Sequence, residues 1–295
     1  MLKCQLQLKA LWLRIWRQDY QYQIGPFTLA LPPEHALPRY QAQYPQYDQL
    51  LTLIAAELAD GSRVIDIGAN CGDSAAALLT GNPSLNLLCI EADPMFSQYL
   101  QQNLALMQQQ CPQSNLTQVQ ALVGLNVNAV ALVGQGGTRK AVRSSDRLAF
   151  EQIELLTAST LDQLWQKQQT PQISLLKIDV DGFDYDVLDS AEQLISTQLP
   201  ILLFEYQCDH DDQQQGFART LNWLSNQGYC HWVVFDNFGY QMFYTEDPQP
   251  IIQLQSYLCQ QRSLPTAGPV AYFDVLATTS SQTNMIEQLL KRSGH

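Results

Sequence analysis

Acidic side chains stand at the ends of several short apolar segments of this chain, although only 15% of its 295 residues are charged. Asp66 and Glu91 belong to the first two such segments, and Asp179 and Glu205 follow two later ones. Carboxylates that gather in one place are costly unless they meet cations or hydroxyl donors. Their chemistry would therefore be the binding of hydroxyl groups, the binding of a cation, or proton abstraction.

The first segment runs into a glycine-containing loop with the sequence VIDIGANCGDS. Gly68 and Gly72 permit a tight turn and a close approach of the backbone to a ligand. Their spacing differs from the G-x-G-x-x-G of dinucleotide-binding loops, and Asp66 and Asp73 bracket the loop with negative charge. A pyrophosphate would be repelled there, whereas the ammonium and sulfonium groups of S-adenosylmethionine would be attracted. Glu91 suits the two ribose hydroxyls of either cofactor.

Strands that alternate with helices from residue 63 onward predict how these acids are positioned. The predicted strands are residues 64–67, 85–90, 119–123, 173–178, 201–204, 230–235 and 270–277, and the predicted helices are 74–79, 94–109, 185–195 and 217–226. The pattern indicates an α/β fold, Rossmann-like and doubly wound, with a mainly parallel sheet. Ligands bind such sheets beyond the carboxyl ends of the strands, which is where the acids lie.

The chain divides into an N-terminal extension, residues 1–60, and one domain, residues 61–295. The extension contains a basic apolar stretch at residues 1–17, a predicted hairpin around Gly25 and Pro26, and a helix over residues 47–58. In the domain, residues 124–159 interrupt the strand–helix alternation and are predicted to be an insertion with a hairpin turn at residues 134–137.

Charge and composition limit the partners. The net charge of -12 disfavours nucleic acid as a partner because an acidic surface repels phosphate backbones. No apolar run approaches the ~20 residues of a membrane span and no leader is evident, so a cytoplasmic protein is expected. Seven cysteines without a C-x-x-C pair favour reduced thiols. The stretch 1–17 leaves two alternatives open, a homodimer contact and peripheral contact with a membrane surface.

Several segments resemble the FkbM-type methyltransferases, which belong to the class I S-adenosylmethionine-dependent methyltransferases. These segments are VIDIGANCGDSAAAL, IEADP, STLDQL, SLLKIDVDGFDYDVL and PILLFEY, and the resemblance covers residues 31–277. It implies a seven-stranded sheet whose last strand is antiparallel, with the cofactor over the first two strands. It also implies methyl transfer to a hydroxyl oxygen of a small molecule, namely a sugar, glycan or secondary metabolite.

Carried over to this sequence, the resemblance assigns the cofactor and reaction sites. S-adenosylmethionine is expected against Asp66, Gly68, Ala69, Asn70, Gly72, Asp73, Glu91, Ala92, Gln120, Ala121, Leu122 and Asp179, with residues 120–122 beside the adenine. Asp179 and Asp181 are expected beside the reacting centre. Two positions depart from the family pattern: Cys71 replaces an aliphatic residue, and Asp181 replaces a more common glutamate, which shortens a carboxylate near the active site.

The sequence leaves the proton acceptor open. Methylation of a hydroxyl needs a base that takes its proton. The candidates are Asp179 and Asp181, then His210, then Glu205 and His231.

Metal sites are weaker alternatives, and none is predicted. Asp179, Asp181 and Glu205 could chelate magnesium, which prefers oxygen ligands. A zinc set drawn from the Cys and His residues at 208, 210, 230 and 231 has poor ligand spacing.

Two other functions are alternatives to methyl transfer. An NAD-dependent oxidoreductase is contradicted by the loop spacing, and a non-catalytic binding module that kept the fold remains an alternative. Aromatic residues cluster at residues 40–47 and 232–243, where residues 236–240 are predicted to form a turn between two strands. They are core packing or a stacking platform for a flat acceptor or a sugar.

Overall fold

The computed structural model describes residues 19–33, 35–47, 49–125, 130–133, 140–143, 158–169, 172–208, 211–262, 268 and 270–292. The interpretations of residues 1–17, of the turn at 134–137 and of His210 lie outside the described residues. The predicted hairpin in the extension is confirmed, with strands on both sides of Gly25 and Pro26.

The described strands and helices follow the predicted alternation. The strands are β1 Tyr20–Ile24, β2 Phe27–Leu31, β3 Arg63–Ile67, β4 Asn86–Glu91, β5 Leu116–Gln120, β6 Leu122–Val123, β7 Val130–Val133, β8 Lys140–Arg143, β9 Ala158–Ser159, β10 Leu175–Ile178, β11 Ile201–Tyr206, β12 Tyr229–Asp236, β13 Gln241–Thr245 and β14 Phe273–Thr279. The helices are α1 Leu37–Gln43, α2 Gln49–Glu57, α3 Asp73–Gly81, α4 Pro94–Gln110, α5 Leu161–Lys167, α6 Asp184–Asp189, α7 Glu192–Gln198, α8 Asp211–Asn226, α9 Gln249–Arg262 and α10 Thr283–Arg292, with a 3₁₀ helix at Ser280–Gln282.

Eight of these strands form the central sheet, in the order β13-β12-β14-β11-β10-β3-β4-β5. Strands β3, β4, β5, β10 and β11 are parallel to one another, and β14 runs antiparallel to both β11 and β12. The doubly wound α/β fold and the antiparallel last strand are therefore confirmed. The count of seven strands is wrong, because β13 pairs with β12 as an eighth strand at the edge.

Two further predictions are corrected. The predicted strand 119–123 is divided: β5 ends at Gln120, and β6 pairs with β9 apart from the central sheet. The predicted helix 185–195 is also divided, into α6 and α7, because Ser190 accepts hydrogen bonds from the first residues of α5. Its carbonyl accepts from the amide of Asp162, and its hydroxyl accepts from the amide of Leu161.

Buried strands and the hydrogen bonds of one buried asparagine hold the layers together. Every residue of β10 and β11 is buried, as expected for parallel strands covered on both faces. Helix α4 begins after Asp93, whose carboxylate caps it by accepting from the amides of Met95 and Phe96. Within α4, the buried Asn103 exchanges two hydrogen bonds with the backbone of Ala30, and its amide also donates to the carbonyl of Cys71. The hairpin of the extension is thus joined to the glycine loop.

Among the helices of the described segments, none combines the length and the apolar character needed to cross a bilayer. The six cysteines in those segments are free thiols.

Candidate active site

A cavity of about 780 Å³ opens at the carboxyl edge of the central sheet. The strands β3, β4, β10 and β11 reach it with their ends, and the antiparallel β14 reaches it with its start. The turn after β12 and the segment from α1 to α2 form the opposite wall. The cavity therefore lies at the edge where the sequence predicts the ligand.

The register of the sheet aligns four carboxylates along this edge. Glu205 of β11 is paired directly with Asp274 of β14. Asp179 is level with Glu205, since the preceding residues of β10 and β11 are paired. Glu91 ends β4 on the other side of β3. Residues that are level in neighbouring strands point to the same face, so the row extends from Glu91 at one end of the cavity to Asp274 at the other.

Lys177 lies two residues before Asp179, on the same face of the sheet but farther from the cavity edge. It forms ion pairs with two acids of the site. Its Nζ is 3.2 Å from Oδ1 of Asp66 and 3.4 Å from Oδ2 of Asp179. Burial opposes its charge, but these carboxylates prevail and raise the pKa of Lys177 above its usual value. Asp66 is fully buried and also accepts a hydrogen bond from the Ser74 hydroxyl. Asp66 thus supports the site from below and does not line the cavity.

The amides of the glycine loop are engaged within the protein. Those of Gly68 and Ala69 donate to the carbonyl of Ile90, at 2.9 and 3.1 Å. The amide of Asn70 donates to Glu91, and that of Gly72 donates to the carbonyl of Ala69. A diphosphate is held by free backbone amides in dinucleotide-binding folds. These four amides are not free for one.

Gly68 allows the loop to lie against the end of β10. Its φ is +75°, and a Cβ atom built there would stand 1.8 Å from the carbonyl oxygen of Asp179. The position therefore requires glycine for two independent reasons, the left-handed backbone and the absence of space.

Glu91 presents a carboxylate with both oxygens oriented. Its Oε2 accepts from the amide of Asn70 and its Oε1 from the amide of Asp93, both at 2.8 Å. Burial raises the pKa of Glu91 to about 7, although the two amide hydrogen bonds act in the opposite direction. Each oxygen keeps a second acceptor position, so the side chain suits a pair of hydroxyl donors.

Asp73, the first residue of α3, also lines the cavity. Its Oδ1 is buried and has no hydrogen-bond partner among the described residues. Burial raises the pKa of Asp73, and the nearby charge of Lys177 opposes this increase. An oriented, unpartnered carboxylate oxygen beside a cavity suits an ammonium group, which would satisfy it.

His35 brings the extension to the loop. Its Nε2 lies 3.1 Å from Oδ1 of Asn70, and its Nδ1 accepts from the amide of Leu37. We assign the ring proton to Nε2, because Nδ1 is occupied as an acceptor, and Nε2 then donates to Asn70. The ring of His35 also packs edge-on against Phe96.

The far end of the cavity combines acids with aromatic rings. Glu205 is only 7% exposed, and burial together with the charges of Asp179, Asp184, Asp181 and Asp274 raises its pKa well above the usual value. The aromatic residues of this end are Tyr40, Tyr44, Tyr47, Phe235, Phe238 and Tyr272. The rings of Tyr44 and Phe238 are 4.3 Å apart, so the two predicted aromatic clusters meet across this wall.

Ten of the predicted site residues line the cavity: Gly68, Asn70, Asp73, Glu91, Ala92, Ala121, Leu122, Asp179, Asp181 and Glu205. Asp66, Ala69, Gly72 and Gln120 are not in the lining. Gln120 is exposed as the last residue of β5, and the chain reaches the cavity only from Ala121 onward. His231 bonds instead to Tyr244 and Thr283.

No group of three or more His, Cys, Asp or Glu side chains within the described ranges is arranged to hold a metal ion. Asp179, Asp181 and Glu205, the weaker alternative for magnesium, do not form such a group, although Asp179 and Glu205 lie level on neighbouring strands.

Sequence reasoning missed two of the residues that shape the site. Asp274 is not found by a rule that considers only the residues after each strand. In an antiparallel strand the first residues reach the carboxyl edge, and Asp274 is the second residue of β14. His35 lies in LPPEHALPRY, where no strand end draws attention to it.

A doubly wound sheet with an antiparallel last strand, and an acid-lined cavity over β3 and β4, defines a class I methyltransferase fold. Residues 66–230 match the family described as Methyltransferase FkbM domain. The chain therefore belongs to the FkbM family of methyltransferases.

The solved structures to which the chain is similar are distant in sequence. Cofactor-bound Rv0187 from MTB is 14% identical, with 83% of this chain and 89% of that chain covered and a TM-score of 0.44. Plantazolicin methyltransferase BpumL in complex with SAH is 9% identical, with coverage of 82% and 88% and a TM-score of 0.41. Precorrin-6y C5,15-methyltransferase from Geobacter metallireducens is 12% identical, with coverage of 79% and 87% and a TM-score of 0.39. The search of curated proteins returned no match.

Proposed function

We propose that the protein transfers a methyl group from S-adenosylmethionine to a hydroxyl oxygen of a small molecule, namely a sugar, glycan or secondary metabolite. The observation that carries this proposal is the position of Asp179, between the oriented carboxylate of Glu91 and the aromatic end of the cavity. Membership of the FkbM family supports the methyl transfer. The choice of oxygen is supported by the carboxylates that could accept a hydroxyl proton.

The residues at the β3 and β4 end fit S-adenosylmethionine. Glu91 offers two acceptor positions to the ribose hydroxyls, and the unpartnered Oδ1 of Asp73 suits the ammonium of the methionine moiety. Ala92, Ala121 and Leu122 supply an apolar surface for the adenine. The engaged amides of the loop disfavour a diphosphate, so the fit supports this cofactor over NAD.

When bound, the cofactor would supply an electrophilic methyl group on a sulfonium, and S-adenosylhomocysteine would be the product left after transfer to the acceptor oxygen. Asp179 takes the proton of the acceptor hydroxyl. Its side chain is half exposed to the cavity, and Lys177 fixes one of its oxygens from below. Asp181 and Glu205, which line the same cavity, are the alternative bases.

Calorimetry on the full chain tests the cofactor. S-adenosylhomocysteine should bind and NAD should not, and Glu91→Gln should weaken the binding of S-adenosylhomocysteine. Glu192→Gln, at an exposed site in α7, is the matched control. Binding of NAD without S-adenosylhomocysteine would overturn the proposal.

A screen with an isotopically labelled methyl donor and a panel of sugars and polyols tests the acceptor. Mass spectrometry should locate the label on an oxygen. A label found on nitrogen or carbon would contradict O-methylation. Cofactor binding without transfer to any acceptor would favour the non-catalytic module.

We propose the division into residues 1–60 and 61–295, a cytoplasmic location and a contact role for residues 1–17. The free thiols support a reducing compartment. Deletion of residues 1–17 followed by light scattering and liposome sedimentation separates the two contact roles. Loss of a dimer indicates a homodimer contact, and loss of sedimentation indicates a membrane surface.

A further inference from the structure

Glu205 lines the cavity with a buried oxygen that has no partner. The residue belongs to β11 and is only 7% exposed. Its Oε1 has no hydrogen-bond partner within the part of the chain that the structure describes. A buried polar atom without a hydrogen bond is costly. An occupant of the cavity that forms a hydrogen bond with Oε1 would therefore be favoured.

The surroundings of Glu205 favour its neutral form. Burial raises the pKa of Glu205 well above the usual value, and the charges of the neighbouring acids act in the same direction. A carboxyl group that keeps its proton has an O–H donor, whereas a carboxylate only accepts hydrogen bonds. The titratable groups around Glu205 among the described residues are Asp179 and Asp181 after β10, Asp184 of α6, Asp274 of β14 and Tyr272 just before β14.

Asp179 stands beside Glu205 in a different environment. The two residues are level on neighbouring parallel strands, so their side chains project from the same face of the sheet. The side chain of Asp179 is 52% exposed, and its Oδ2 lies 3.4 Å from Nζ of Lys177. Solvent and an ammonium group both favour a carboxylate. The pair therefore presents a hydrogen-bond acceptor on Asp179 next to a donor on Glu205.

The spacing of this pair fits two oxygens on adjacent carbon atoms. Neighbouring strands lie about 4.8 Å apart, which brings both carboxyl groups within reach of one small molecule. One oxygen donates its proton to Asp179, and the other accepts a hydrogen bond from Glu205. The rings at the same end of the cavity would pack against the carbon skeleton of such a molecule, and they are Tyr40, Tyr44, Phe238 and Tyr272.

We propose that Glu205 determines the specificity for the acceptor: as the neutral acid, it donates a hydrogen bond to the oxygen next to the hydroxyl that Asp179 deprotonates, so that the acceptor is a vicinal diol. This inference rests on the proposed function for the identity of the occupant and for the role of Asp179. It also removes Glu205 from the alternative bases, because a protonated carboxyl group does not take up the proton of a hydroxyl. The protonation of Glu205 itself is independent of the proposed function.

¹³C NMR on the full chain tests the protonation of Glu205 directly. Glutamate labelled at the carboxyl carbon is incorporated, and the Glu205 signal is identified by its absence in Glu205→Gln and in Glu205→Met. At neutral pH this signal should be that of a carboxylic acid, whereas exposed glutamates titrate at about pH 4.3. Glu192→Gln, at an exposed site in α7, is the matched control and should remove a carboxylate signal. A carboxylate signal for Glu205 at neutral pH would overturn the inference.

Two cyclohexanediols test the specificity. The trans isomers with hydroxyls on adjacent carbons and on opposite carbons of the ring differ only in the position of the second oxygen. Both are titrated into the full chain at neutral pH with S-adenosylhomocysteine present and followed by ligand-observed NMR. The adjacent isomer should bind about fivefold more tightly, as expected for one net hydrogen bond. Glu205→Met should reduce this preference to about twofold or less. Glu205→Gln, which retains an N–H donor, should keep more of it, and Glu192→Gln should leave it unchanged.

Several results would overturn the specificity given to Glu205. They are equal binding of the two isomers, no saturable binding of the adjacent isomer, and equal preferences in Glu205→Gln and Glu205→Met. Calorimetry with S-adenosylhomocysteine separates this failure from that of the proposed function. If that ligand binds and the diol preference is absent, only the inference about Glu205 fails. If it does not bind, the proposed function fails, and the diol titrations are repeated on the protein alone.

Discussion

The ammonium of Lys177 lies 3.2 Å from a carboxylate oxygen of Asp66, and both side chains are almost completely buried. The same ammonium lies 3.4 Å from Asp179 and 3.4 Å from the carbonyl of Gly68. One buried cation therefore connects strand β3, the glycine loop and the proposed base. The stability of the fold and the geometry of the reaction depend on the same side chain.

Lys177→Met should lower the free energy of unfolding by about 3–5 kcal/mol, because Asp66 would remain charged and buried without its partner. Urea unfolding followed by circular dichroism measures the change. Lys291→Met is the matched control, since Lys291 and Glu287 form an exposed pair, and its effect should stay below about 1 kcal/mol. Similar effects of the two substitutions would contradict the role given to the buried pair.

Gly68→Ala and Gly61→Ala separate lack of space from backbone strain. Both glycines have φ near +75°, at +75° and +77°, but a Cβ at Gly61 meets no atom within 4 Å. Gly61→Ala should cost about 1–2 kcal/mol of stability from the left-handed backbone alone. Gly68→Ala should cost clearly more and abolish binding of S-adenosylhomocysteine, because its Cβ overlaps the carbonyl of Asp179. Equal unfolding midpoints in urea would refute the close contact.

Binding of S-adenosylhomocysteine should weaken as the pH falls through about 7, since burial raises the pKa of Glu91 to that value. Above this pH the carboxylate accepts hydrogen bonds from hydroxyl donors, and below it a proton occupies one acceptor position. Calorimetry between pH 6 and 8 measures the change, about tenfold for each unit below the pKa. Glu91→Gln should bind more weakly and lose this pH dependence. A pH-dependent affinity that persists in Glu91→Gln would assign the titration to another group.

Asp179→Asn should reduce kcat for methyl transfer by about 10²–10⁴, because the acceptor hydroxyl loses its base. Asp179 is half exposed, so the thermal unfolding midpoint should change little. The turnover of a labelled methyl donor at saturating acceptor provides the measurement. Asp211→Asn, in an exposed helix start, is the control. A larger loss in Asp181→Asn than in Asp179→Asn would transfer the role of base to Asp181.

The elements that the sequence predicts well are those with strong apolar runs. Strands β10 and β11 are buried on both faces, and their apolar residues are continuous. Strand β13 is predicted only as the strand that follows the turn at residues 236–240, because it is an edge strand of partly exposed residues. Helix α9 is not predicted because glutamines interrupt its apolar period. Such elements are stabilised by tertiary packing, so their residue composition alone does not reveal them.

The site is predictable where a residue lies at the carboxyl end of a parallel strand, as Glu91, Asp179 and Glu205 do. Prediction fails where the exact end of a strand matters: β5 ends at Gln120, so the cavity is lined from the next residue. The ion pair between Asp66 and Lys177 is also not apparent from the sequence. It depends on the adjacency of β3 and β10, which lie more than a hundred residues apart in the chain.

Asn103 links the hairpin of the extension to the glycine loop beside the cavity. Its side chain is hydrogen-bonded to both Ala30 and Cys71, so it joins strand β2 to the glycine loop. A chain trimmed to begin at Arg63 would lose two of the three hydrogen bonds of this amide, both of them to Ala30. The hairpin is therefore a structural partner of the catalytic half of the molecule, and a minimal version of the enzyme has to start before Tyr20.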